Sequence, residues 1–195
     1  LLVQAELSSR DAWDNLKKLL ENGGYLVMGQ EVSIGSDLSI KNVQISFKVD
    51  AQTDIIFDIG SVNLTKNKNG FINISLPEEI YVQYLNEDEF GYKTEANILV
   101  RARELDFKVS GKLSQVLYQL TASSAGFALV ELLENGVPSP DFSAEMEFVL
   151  ADVNSTIRVT GISTIEITSL LSASGASIKG GLSVLSVPLE LNFQY

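Results

Sequence analysis

One segment near the start of the chain repeats its apolar residues at helical spacing, and almost everything after it alternates apolar and polar residues as strands do. Ala12, Trp13, Leu16, Leu19 and Leu20 form a single apolar stripe, which predicts one amphipathic helix. Ser8 or Ser9 can cap it. Asp11 stands three residues after Ser8, the spacing of a capping box with Asp in place of Glu. Asp14 with Lys18, and Lys17 with Glu21, pair opposite charges one turn apart on the wet side. Asn22-Gly23-Gly24 supplies a left-handed stop.

Beyond Gly24 the period is two, and it slips repeatedly. Leu38 and Ile40 hand over to Val43, Ile45, Phe47 and Val49; Phe57 and Ile59 hand over to Val62 and Leu64. Around Arg103-Glu104 the series Tyr92, Ala96, Ile98, Val100, Ala102 gives way to Leu105, Phe107, Val109. One extra residue at each slip predicts a β-bulge, and repeated bulges bend and twist a sheet. Asn69-Gly70 predicts a hairpin, and Asn135-Gly136 before Val137-Pro138-Ser139-Pro140 a second, longer and stiffer break. Further strands are expected at Phe142 to Leu150, Ile157 to Val159 and Ile165 to Ile167. The last stretch holds Ile178, Leu182, Val184, Leu189, Leu191 and Phe193 around Pro188. Two stretches stay open. Lys112 to Glu134 accommodates two strands or, from Ser124 on, an amphipathic helix; Ser169 to Gly181 reads as a small-residue strand pair or a loop. Roughly ten strands against one helix, with no strand–helix alternation, predict an α+β chain. It is mostly antiparallel β, a single domain over residues 1–195 with the N-terminal helix packed on a curved, bulged sheet.

Composition narrows the chemistry. The 195 residues carry 14 Lys+Arg against 25 Asp+Glu, a formal charge of −11, with no His and no Cys. Disulfides, thiolate nucleophiles, Ser-His-Asp relays and the usual zinc or haem ligands are thereby excluded. An isoelectric point near 4.4 argues against nucleic acid as a partner. Ser39 with Lys41, and Ser177 with Lys179, have the spacing of a Ser-Lys dyad, but nothing beside them marks an oxyanion site and a solvated strand face is the better reading. Among 25 acids chance pairs are unavoidable, so Glu78-Glu79 carries little weight as a hydrolytic pair. Glu87-Asp88-Glu89 lacks the spacing of a calcium loop, and Asn86 to Glu89 reads as a soluble hairpin tip. The Asn-x-Ser/Thr triplets at Asn63, Asn73 and Asn154 fall in strands or turns. The residues ask for no cofactor and no metal, and the expectation is a protein that is not an enzyme.

Leu1-Leu2 followed by Val3-Gln4-Ala5 resembles the end of an export signal, the other reading being an ordinary first strand. No run approaches the roughly 18 apolar residues of a membrane-spanning helix. Alternation still runs at Asn192-Phe193-Gln194-Tyr195, which reads as a fragment of something longer.

The run Ala5-Glu6-Leu7-Ser8-Ser9, Ala12-Trp13-Asp14-Asn15-Leu16, Gly24, Gln30-Glu31 and Leu38-Ser39-Ile40-Lys41-Asn42-Val43 resembles the start of domain of unknown function 2125, a largely alphaproteobacterial family. Gly60-Ser61-Val62-Asn63-Leu64, Asn69-Gly70, Leu76-Pro77 and Tyr81-Val82 are similar in kind. The resemblance spans about the first half of the chain and rests on turns and apolar positions. It implies an exported, periplasmic protein, usually longer than this chain, with no catalytic residues to carry over.

A helix of about fourteen residues is ~21 Å long and cannot cover some ten strands spaced ~4.8 Å apart. Either the sheet closes on itself, or part of its apolar face is open to a guest. The favoured expectation is a periplasmic or secreted domain binding an apolar or lipid-like ligand in the curved sheet. Ile98, Val100, Phe107, Phe127 and Phe148 are the candidate lining residues. The alternative is a structural or assembly protein that binds another envelope protein through strand edges or its acidic face.

Overall fold

A computed structural model describes residues 6–139, 146–161, 166–180 and 183–194. The Leu1–Ala5 signal-like segment, and Phe142, Ala144, Ile165 and Leu182 of the expected strand series, lie outside them.

Helix α1 runs Ser9–Asn22 with Ser8 as its N-cap. The Ser8 hydroxyl accepts from the Asp11 amide at 3.1 Å, and the Asp11 carboxylate accepts from the Ser8 amide at 3.0 Å, closing the expected capping box. At the other end the left-handed turn falls on Gly24 (φ +87°), not Gly23 (φ −79°), which still bonds back to Leu19 and Leu20.

Twelve strands follow, all antiparallel and all in one sheet among the described residues. They are β1 (Tyr25–Ile34), β2 (Asp37–Lys48), β3 (Thr53–Lys66), β4 (Ile72–Ser75), β5 (Glu79–Glu87), β6 (Lys93–Arg103), β7 (Asp106–Lys112), β8 (Gln115–Glu134), β9 (Val137–Pro138), β10 (Met146–Thr160), β11 (Glu166–Gly180) and β12 (Ser183–Gln194). The curved sheet carries α1 against one part of its apolar face. β9, at two residues, is too short to announce itself by alternation.

Each open stretch holds one long strand rather than a pair, β8 in the first and β11, described as far as Gly180, in the second. β8 runs through all of Gln115–Glu134 because each half has partners on both sides. Gln115–Thr121 lies between β7 and β10, and Ser124–Glu134 lies next to β6, with β10 alongside as far as Leu129. β3 forks the same way, pairing β5 over Thr53–Asp58 and β4 over Asn63–Lys66. Two short ribbons, β4–β7 and β5–β6, therefore bridge β3 to β8 side by side.

The parity slips line up across the sheet as one transverse crease. Register shifts at Gly29 of β1 and between Ile40 and Val43 of β2, where Asn42 has φ +53°. Gly60 of β3 sits opposite Val43 with φ +79°. Farther across, Arg103 faces Ser124, Ser124 faces Ala151 and Ala151 faces Gly175, flanked by Glu104 (φ +52°) and Asp152 (φ +47°). At Arg103-Glu104 the expected bulge is a full break between β6 and β7, because the two strands pair with different ribbons. The slips have one physical effect. A side-chain period of two would send each apolar set to the opposite face past a kink; one extra residue returns it to the same face.

On the helix side of the crease Leu38, Ile40, Val62, Leu64, Ile72 and Val109 are buried with Ala12 and Trp13 of α1. Burial of such aliphatic side chains is worth about 1.5–3 kcal/mol each. The hairpins are where the turn residues put them. Asn67 Oδ1 accepts from the amides of Asn69 and Phe71, and Asn135-Gly136 (φ +50°, +76°) joins β8 to β9 in two residues. The second break is therefore tighter than expected.

Candidate functional site

Directly opposed residues of an antiparallel pair share a face, so the register assigns the apolar positions beyond the crease to two rows. One runs Ile80, Val100, Phe127, Phe148 and Ile178 across β5, β6, β8, β10 and β11. The other runs Val27, Ile45, Phe57, Val82, Ile98 and Leu129 from β1 to β8. Val100 and Ile98 are two apart on one strand, so the rows are neighbours on one face.

Burial falls along this face. Val27 and Val82 are each only 5% exposed, whereas Phe127 is 48% and Ile178 43% exposed. The Phe127 and Phe148 rings lie 5.4 Å apart between centroids at 32°, the contact of a cross-strand aromatic pair. The apolar face is thus closed near β1–β5 and open over β8, β10 and β11.

Of the five sequence-predicted lining residues, Ile98, Val100, Phe127 and Phe148 come together here. Phe107 does not. It lies on β7 across the crease, 6.3 Å from the Tyr118 ring, and packs against the helix-covered core. Ile80 and Ile178 belong to the same row and were missed, because only pairing register distinguishes them from any other strand isoleucine. Neither row carries a titratable side chain, so the face offers contact area and no proton chemistry.

The opposite face carries polar and charged side chains around the buried Leu99 and Ala128. A cavity of about 410 Å³ is lined there by Gln44, Asp58, Tyr81, Gln83, Asn97 and Glu131. A second, of about 220 Å³, has Arg101, Arg103, Ser124, Gly126, Val149 and Ser177 in its wall. Arg101-x-Arg103 was legible as an i, i+2 pair sharing one strand face. Its meaning required knowing that small residues stand opposite.

The helix dock includes charged contacts. Trp13 Nε1 donates to Glu31 Oε1 at 3.0 Å, and Arg10 Nη1 to Glu31 Oε2 at 2.7 Å. The Arg10 hydrogen bond, helped by that of Trp13 and opposed by partial burial, holds the Glu31 carboxyl below the usual carboxylate range. At the β5–β6 tip, Asp88 Oδ1 accepts from the amides of Phe90 and Tyr92, as an Asx turn does. Tyr92 in turn donates to Glu134 Oε2 at 2.9 Å, which pushes its phenol up.

No group of three or more carboxylates that could hold a metal ion occurs among the described residues, and none of their helices is long and apolar enough to cross a membrane. Compared with protein-family models, curated proteins and solved structures, the chain matches none.

Proposed function

We propose that the chain is a non-enzymatic binding protein that holds an apolar or lipid-like ligand on the open face of its curved sheet. The observation that carries this reading is the half-exposed Phe127 ring, tilted against Phe148 in an apolar row that continues to the exposed Ile178. A contiguous apolar strip with no charge in it is costly to leave in water, and a flexible hydrocarbon chain laid along it removes that cost. The reading extends to an exported, periplasmic or secreted setting, as the resemblance to domain of unknown function 2125 implies. Native mass spectrometry before and after organic extraction tests it. An added mass that extraction removes is the expected result; a clean protein mass from cells overturns it.

A second reading is favoured by β1. Among the described residues this edge strand pairs only with β2, and Leu26, Met28, Val32 and Ile34 stand exposed opposite the polar Ser46, Gln44, Ser39 and Asp37. An exposed apolar edge strand is a template for strand addition by a partner protein. A stable complex with an envelope protein on a sizing column, lost in Met28→Lys, supports it.

A further inference from the structure

The geometry points to an oxyanion site on the polar face, behind the proposed apolar strip, in a cavity whose wall Phe127 also borders. We infer that the 220 Å³ cavity over β6, β8, β10 and β11 binds a phosphate or carboxylate group between Arg101 and Arg103. The chain has four arginines in 195 residues, and two of them enter this one cavity. Two residues apart on β6, their Cα atoms are about 6.6 Å apart at 3.3 Å per residue, and both side chains leave the same face.

Register explains the hollow. Arg101 stands opposite Gly126, which stands opposite Val149 and then Ser177; Arg103 stands opposite Ser124. Small residues beside two long cations leave space the guanidinium forks can reach across, with hydroxyl donors on its floor. Gly126 is fixed by close approach. A Cβ there would lie 2.2 Å from the Phe148 carbonyl oxygen, so a larger residue cannot fill the hollow without moving β8 from β10.

The charges are unequally engaged. Arg101 Nε donates to Glu79 Oε1 at 2.9 Å, while no carboxylate lies within ion-pair distance of the Arg103 guanidinium among the described residues. Glu147 lines the other end of the cavity, in the row of Leu99 and Ala128. An anion therefore settles at the Arg103–Ser124 end. Planar, bidentate donation is what guanidinium offers phosphate and carboxylate oxygens, and ammonium does not reproduce it. In a chain of charge −11 the long-range field repels anions, so binding here rests on the short-range contacts of the two guanidinium groups.

The test is titration of the purified protein with inorganic phosphate at low salt, followed by amide chemical shifts, with sedimentation against phosphatidylglycerol and phosphatidylcholine vesicles in parallel. Saturable shifts confined to β6, β8 and β10 are expected. At least a tenfold loss of affinity is expected in Arg103→Ala and a several-fold loss in Arg103→Lys, which keeps the charge and loses the fork. Arg158→Ala, at the far end of β10, is expected to bind as the parent does. Free phosphate binding assigns the site to a soluble anion. Binding to phosphatidylglycerol vesicles alone, with the same dependence on Arg103, assigns it to a lipid headgroup. Binding unchanged in Arg103→Ala, an equal loss in Arg158→Ala, or no binding to either probe overturns the inference.

Discussion

The Tyr118 hydroxyl donates a 2.6 Å hydrogen bond to Asn15 Oδ1, joining α1 to β8 across 103 positions of sequence. The ring is 2% exposed, and burial pushes the phenol far above its ordinary value of 10.0. Neutral Tyr118 is thus favoured by the fold. Its contribution is fully present below about pH 10, where the unfolded phenol begins to ionise, and is lost as pH rises further. Tyr118→Phe is expected to cost about 1 kcal/mol at neutral pH. It is also expected to flatten the alkaline fall in melting temperature. A variant with the same alkaline slope as the parent refutes this role.

Glu31 ties the same helix to β1 by accepting from Trp13 and Arg10 at once. Its carboxyl is held low, so its stabilisation is present above about pH 4.5 and is lost as pH falls through the depressed value. Glu31→Ala leaves the Trp13 indole N–H without its acceptor and is expected to cost roughly 1–2 kcal/mol by urea denaturation at pH 7. That deficit should shrink in acid. A deficit independent of pH would show that packing, not the carboxylate, holds the helix.

The crease predicts two substitutions of opposite sign. A Cβ at Gly60 would meet nothing within 4 Å, so Gly60→Val is penalised only by its φ of +79°, by about 1–2 kcal/mol. Glu104 already sits at φ +52°, and Glu104→Gly is expected to relieve strain and gain up to about 1 kcal/mol. Urea midpoints moving the same way in both variants would contradict a left-handed crease.

The open face predicts a separation of stability from binding. Phe127 is half exposed, so Phe127→Ser is expected to lose only the ring pair with Phe148, about 0.5–1.5 kcal/mol, and stay folded. Any co-purifying apolar ligand should be lost from it. Phe107→Ser, in the helix-covered core, should instead lower the melting temperature much further. Retention of ligand by folded Phe127→Ser would move the site elsewhere.

Local signals were legible wherever neighbours in sequence do the physical work. Ser8 and Asp11 cap the helix they precede, Asn69-Gly70 turns the chain, and the parity slips at Asn42 and Gly60 mark bulges, because each is decided within a few residues. The extent of β8 was not legible. Its two halves have strand character only because β6, β7 and β10 satisfy their backbone groups, and those partners come from elsewhere in the chain. Phe107 and Phe127 look alike in sequence, each a bulky residue on an alternating strand; α1 covers the sheet near one and leaves the other open.

The amino-acid sequence by itself determined a helix with its cap, a run of kinked antiparallel strands, and a charge and residue set that exclude thiol, histidine and disulfide chemistry. Only the tertiary structure decided that the kinks align into one crease, which apolar residues stay open, and that Arg101 and Arg103 stand over Gly126 and Ser124. The reason is that alternation assigns a residue to one of two faces within its own strand, whereas register between distant strands sets which residues meet and which are covered.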